Sequence, residues 1–165
     1  MCEHRKNIII AHARQAIKDI AKPNSSAKNI SELTKYSRAI IEKWQTSCAE
    51  DSDFGKDIKL TIWYPQDRAL GFSVYDTVHK MAYELKVSCK NPRNQFYKAI
   101  CKALLMNSLH EKYIKKLIFI VSPAGEKNLY GSNTVKKENS LPAQIIQKVD
   151  LKFDVEIVKI NASNN

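Results

Sequence analysis

The run Leu117-Ile118-Phe119-Ile120-Val121 constrains the fold of this chain more than any other segment. Five consecutive apolar residues leave no polar face, so a strand built from them has to be covered on both sides, as happens where helices flank a partly parallel sheet. A parallel neighbour requires a crossover connection, and one stands just upstream. Asn91 is placed to cap a helix with Pro92 at its first position, and Phe96, Ile100, Ala103 and Leu104 supply its buried stripe.

Before that helix the hydrophobic period is two. Ile58, Leu60, Ile62 and Tyr64 alternate with Lys59, Thr61 and Trp63, and Pro65-Gln66-Asp67 makes a turn. Strands from Leu70 to Asp76 and from Met81 to Ser88 follow, joined by a tight turn. Earlier still the period is helical. Ile10, Ala13, Ile17 and Ile20 line one side of a helix from Asn7 to Lys22, which Pro23-Asn24-Ser25-Ser26 ends. A second helix opens at Asn29, with Glu32 completing a capping-box-like start, and runs through Leu33, Ile40 and Trp44. Asp51 to Lys56 reads as a loop, Ala124 to Ser140 as irregular, Pro142 to Val149 as a short helix and Phe153 to Ile160 as a last strand, with Asn161 to Asn165 frayed.

These elements predict an α/β (α+β mixed-sheet) fold in the order helix, helix, three-stranded meander, helix, strand, helix, strand. The 165 residues form one expected domain: 1–28 as N-terminal helix and linker, 29–122 as the core, and 123–165 as a C-terminal loop, helix and strand. The core does not require the first helix. Its near-heptad stripe is expected either to pack on the sheet or to meet a second copy of the chain.

The formal net charge is +10, from 27 basic and 17 acidic residues spread along the whole length. Such an excess fits a polyanionic partner, and DNA is the simplest one. Cys2, Cys48, Cys89 and Cys101 show no C-x-x-C spacing, and His4, His12, His79 and His110 form no ligand pairs, so zinc is not expected. With four glycines there is no G-x-G-x-x-G, Walker loop or G-x-S-x-G elbow. Ile8-Ile9-Ile10 is broken at once by His12 and Arg14, so neither a signal peptide nor a membrane span is expected, and a reduced cytoplasm is. The Asn-x-Ser sequences at Asn24, Asn29 and Asn161 are then chance matches.

Chemistry concentrates in the third strand. Side chains two apart share a strand face, so Glu84 and Lys86 project together while Leu85 and Val87 project the other way. Antiparallel pairing of the two motif strands is expected to bring Asp76 to Glu84. Two carboxylates beside one ammonium suit a magnesium ion that keeps several waters and acts on a phosphate.

Asp76 with Glu84-Leu85-Lys86 resembles the motif of the PD-(D/E)XK nuclease superfamily, which includes many type II restriction endonucleases and Holliday-junction resolvases. Tyr75 stands where that family often has Pro. The resemblance spans roughly Ile30 to Val121 and implies a restriction-endonuclease-like αβββαβ core. It also implies magnesium-dependent DNA hydrolysis, with manganese able to substitute. Asp76, Glu84 and the backbone carbonyl of Leu85 would hold the metal, and Lys86 would position the attacking water and stabilise charge. Gln95 would add a polar side chain from the following helix. Glu42 is a candidate extra ligand by resemblance, whereas its own surroundings suggest an i,i+4 pair with Arg38.

Lys90, Arg93, Lys98 and Lys102 are the nucleic-acid-binding candidates, with Lys115, Lys116, Lys136 and Lys137 as further phosphate contacts. His79 reads as an exposed, uncommitted imidazole, Tyr83 and Trp63 as core, and Asp57 and Asp67 as turn residues. The expected role is a type II restriction endonuclease acting as a homodimer. A junction resolvase and a catalytically inactive binding module are the alternatives.

Overall fold

The structure is a computed structural model that describes residues 2–20, 30–54, 57–64, 67–88, 90–109, 113–131 and 137–161; the side chains of 30–31 and 60–70 lie outside the description. In chain order the elements are helices α1 (Cys2–Asp19) and α2 (Ile30–Glu50), strands β1 (Ile58–Tyr64), β2 (Asp67–Asp76) and β3 (Met81–Lys86), helix α3 (Pro92–Leu109), strand β4 (Lys116–Val121), helices α4 (Pro123–Tyr130) and α5 (Leu141–Lys148), and strand β5 (Asp154–Lys159). This is a mixed α/β fold.

The five strands form one sheet in the order β1-β2-β3-β4-β5. β1, β2 and β3 pair antiparallel, while β3–β4 and β4–β5 are parallel, so the helical crossover expected from the apolar run at Leu117 is present. β4 is buried along both faces. Ile118 and Ile120 join a cluster with Ile9, Ala13, Ile40, Trp44 and Tyr83, on the side covered by α1 and α2. Leu117, Phe119 and Val121 join the opposite cluster with Phe96, Ile100 and Met106 of α3. The apolar run therefore requires three layers, and three layers form.

Several elements differ from expectation for local reasons. α1 starts at Cys2 rather than Asn7, with Glu3 in its first turn to complement the helix dipole, so Arg5 and Lys6 become helical. Its stripe of Ile9, Ile10, Ala13 and Ala16 is buried inside this chain, so packing on the core is what this face does. Asn91 adopts a left-handed φ of 50° instead of the extended conformation of a capping residue. Leu104, expected in the buried stripe of α3, is exposed, and Met106 takes that inward place. Part of the stretch read as irregular is helical. Ser122 caps α4 by accepting from the Gly125 N–H, with Pro123 at the first position, and Gly131 ends the helix at a φ of 106° that suits glycine. Asp67 is the first residue of β2, paired with Tyr64, rather than a turn residue, while Pro65, Gln66 and Asn29 lie outside the described residues.

Candidate functional site

The turn between β2 and β3 decides the geometry of the predicted site. It takes four residues, Thr77 to Lys80, so Asp76 pairs with Met81, Tyr75 with Ala82 and Val74 with Tyr83. Glu84 lies three residues beyond Met81, about 10 Å along the strand and on the other face of the sheet. The expected convergence of Asp76 and Glu84 is therefore corrected: the two carboxylates belong to opposite ends of β3 and to opposite layers.

Asp76 is fully buried, and four donors hold it. Arg5 Nε reaches Oδ2 at 3.1 Å, His79 Nδ1 donates to Oδ2 at 2.9 Å, and the backbone N–H groups of Val78 and His79 donate to Oδ1 at 3.0 and 3.2 Å. Arg5 also pairs with Asp57 at 3.6 Å and stacks on Phe54. A carboxylate with its lone pairs committed in this way closes a hairpin and pins α1 to the sheet. His79, expected to be uncommitted, is part of this clasp.

Glu84 occupies a different environment. The β2–β3 ladder ends at Val74 and Tyr83, so from Glu84 onward β3 pairs with β4 alone among the described strands. Backbone groups of β2 freed by this splay are taken by side chains from both helical layers. Gln45 of α2 donates to the Ser73 carbonyl at 2.6 Å, and Lys102 of α3 donates to the Gly71 carbonyl at 2.7 Å. The Ser73 N–H turns to the Glu84 carboxylate.

Lys102 also bonds Glu84 Oε1 at 3.1 Å and lies over the Phe72 ring. Glu84 Oε2 is buried without a hydrogen-bond partner. Burial raises the Glu84 carboxyl above its ordinary range, against the opposing pull of Lys102, the Ser73 N–H and Lys86. The site is thus a carboxylate between two ammonium groups at a sheet opening, with one oxygen uncommitted. That oxygen suits a hard cation, which takes oxygen ligands. Among the described residues no cluster of three His, Cys, Asp or Glu side chains assembles.

The remaining candidates separate. Leu85 buries its side chain in the α1–α2 layer, as Tyr83 does. Gln95 lies seven residues before Lys102 on α3, hence on the same helical face, half-buried. Lys98 is exposed on α3, and Glu42 is exposed on α2, one turn before Gln45. Lys90 and Arg93 line an open cleft with Asn94 and Lys127 at the start of α3, where Arg93 Nε donates to the Leu129 carbonyl at 2.8 Å.

Lys102, expected at a phosphate, is instead committed to Glu84 and only 12% exposed. Lys116 is paired with Glu156 and Lys137 with Glu126, so neither is a simple phosphate contact; Lys136 lies outside the described residues. Residue-level reading missed Arg5, because helix α1 was started too late, and it missed the roles of Gln45 and Lys102, because nothing in a strand pattern announces where a ladder opens.

No family model matches the chain, and no curated protein or solved structure was found similar to it. Among the described residues no helix is long and apolar enough to cross a membrane.

Proposed function

We propose that this chain is a magnesium-dependent DNA endonuclease of the restriction-endonuclease-like kind, with its centre at Glu84 and Lys86 rather than at Asp76. The observation that carries the reading is the buried, unpartnered Oε2 of Glu84 at the β2–β3 opening, beside Lys86 and Lys102. Strand order supports it as well, because a meander, a crossover helix and a parallel strand follow one another as the resembling superfamily requires.

β2 carries two carboxylates, Asp67 and Asp76. Asp76 is committed elsewhere. Continuing the β2–β3 register sets Ser73 opposite Glu84, about 20 Å along β2 from Asp67, so Glu84 is the carboxylate assigned to the metal, and phosphate and water oxygens would complete its shell. When bound, the cation supplies Lewis-acid polarisation of the phosphate and a more acidic water. Lys86 offsets charge developing on the phosphate, and Lys102 holds the Glu84 carboxylate in orientation.

Incubation with plasmid, linear duplex, single-stranded and four-way-junction DNA, with magnesium or with chelator, tests the reading. Glu84→Gln and Lys86→Ala are each expected to slow cleavage by on the order of 100-fold or more with DNA binding retained. Parent-like cutting by the Glu84→Gln and Lys86→Ala proteins would sink the assignment. Were both strands of a duplex cut, two centres would be called for, and light scattering with that duplex would then show a homodimer.

One observation favours a second reading, a nucleic-acid-binding module without hydrolysis. Lys102 already neutralises Glu84 at 3.1 Å, as a cation would. DNA binding with no cleavage in magnesium or manganese would decide for it.

A further inference from the structure

Over the C-terminal ends of β3, β4 and β5 lies a groove of about 480 Å³, bounded by α1, α2 and the start of α4. The outer ends of parallel strands are where open α/β sheets bind ligands, and this volume falls within the usual range for a small-molecule moiety. Its wall is apolar and partly aromatic: Leu33, Tyr36, Val87 and Ile160. Lys86 and Lys90 stand among the lining residues, together with Ser122, the capping residue at the positive end of α4. Among the described residues none that lines the groove is acidic.

An occupant therefore needs a flat apolar part for the wall and a negative part for the lysines. A nucleotide has both. Glu84 faces α3 and the groove opens on the α1–α2 side, and the two meet at the strand end that Lys86 occupies, so a phosphate there would lie at the rim of the groove. A base inside a duplex is stacked and paired, with its faces covered, and reaches such a groove only when unpaired.

We infer that the groove takes the base of an unpaired nucleotide adjoining the phosphodiester held at Glu84 and Lys86, so that the substrate is single-stranded or locally unpaired DNA rather than intact duplex. The location of the scissile bond rests on the endonuclease reading; the groove and its occupant do not.

Binding in chelator, where no hydrolysis occurs, separates the two. The intact protein is titrated with a single-stranded oligonucleotide carrying one 2-aminopurine and with the same sequence as a duplex. The parent is expected to prefer the single strand and to change the 2-aminopurine emission. Tyr36→Ala is expected to weaken single-strand binding by on the order of tenfold, since base–aromatic stacking is lost, while Tyr36→Phe binds like the parent.

Because Tyr36 also touches the core, Ser37→Trp serves as a second variant that fills the groove from α2 without removing core volume, and it is expected to lose the emission change. Equal single-strand affinity in the parent, Tyr36→Ala and Ser37→Trp proteins, or equal parent affinity for single strand and duplex, overturns the inference. Loss of binding in Tyr36→Ala with no hydrolysis by the parent would keep the groove and remove the endonuclease reading.

Discussion

Asp76 shows how far a single residue's chemistry depends on its register. Its acidity is plain in the sequence, and so is its position at the end of a strand; what decides its role is the four-residue turn that sets it opposite Met81. There it neutralises Arg5 and organises the hairpin. Asp76→Ala is expected to remove about 3–5 kcal/mol of stability, because it leaves the mostly buried Arg5 guanidinium without its nearest charge. Urea unfolding of the parent and the variant measures this, and an unchanged midpoint with lost DNA cleavage would return Asp76 to the catalytic centre. Glu84 and Lys86 were legible as a face-sharing pair, because strand parity needs no tertiary information. The commitment of Lys102 was not, since its partners lie 18 and 31 residues away.

At the scale of elements, α2, the meander, α3, β4 and β5 formed where expected, and Ile40 and Trp44 of α2, Phe96, Ile100 and Ala103 of α3 and Leu117 to Val121 of β4 are buried, whereas Leu104 is exposed and β5 is at most half-buried. α4 was hidden by its short length and polar composition, although Ser122-Pro123 followed by Glu126 carries the start signal of a helix. Sheet order needed the crossover argument, whereas the opening between β2 and β3 depends on helices from both layers. One ion-pair group ties separate elements together. Glu156 of β5 meets Lys6 of α1 at 3.0 Å and Lys116 of β4.

Burial pushes the Glu156 carboxyl up, but hydrogen bonds from Lys116 and Lys6 more than offset this and hold it below the ordinary range. An acid whose folded pKa is depressed contributes stability above its unfolded value, near pH 4.3, and loses it as the pH falls through the folded value. Glu156→Gln is therefore expected to be about 1 kcal/mol less stable than the parent at pH 7, a figure discounted for its partial exposure, with the difference closing below about pH 4. Thermal melts across that range test it. A gap that persists at pH 3 would show that packing, not charge, is responsible.

For the whole molecule, bases outnumber acids 27 to 17, and acids stand both in contacts within the fold and, as at Glu42, Glu50 and Asp53, on the surface. Asp76, Glu84, Glu126 and Glu156 each answer a lysine or arginine of this chain, while Lys90, Lys98, Lys115, Lys127 and Lys148 are exposed. The net excess of +10 favours a polyanionic partner. DNA affinity is expected to fall steeply with salt, with a log–log slope of about 0.9 for each phosphate contacted, and charge reversal at Lys90 or Lys127 is expected to lower that slope. Fluorescence anisotropy between low and moderate ionic strength measures it, and a flat response would remove nucleic acid as the partner.

The attachments of α1 have a consequence for how the chain is made. Arg5 meets Asp57 and then Asp76, 71 residues later, and Lys6, besides Glu3 in its own helix, meets Glu156, 150 residues later. At the usual pace of translation, on the order of ten seconds separate the emergence of Lys6 from that of Glu156. Throughout that interval α1 carries Ile9, Ile10 and Ala13 with no completed sheet to receive them. An isolated helix of this length is marginal in water. α1, made before the strands it packs on, is thus fully secured only when β5 arrives, and until then it stays open to chaperones and to proteolysis.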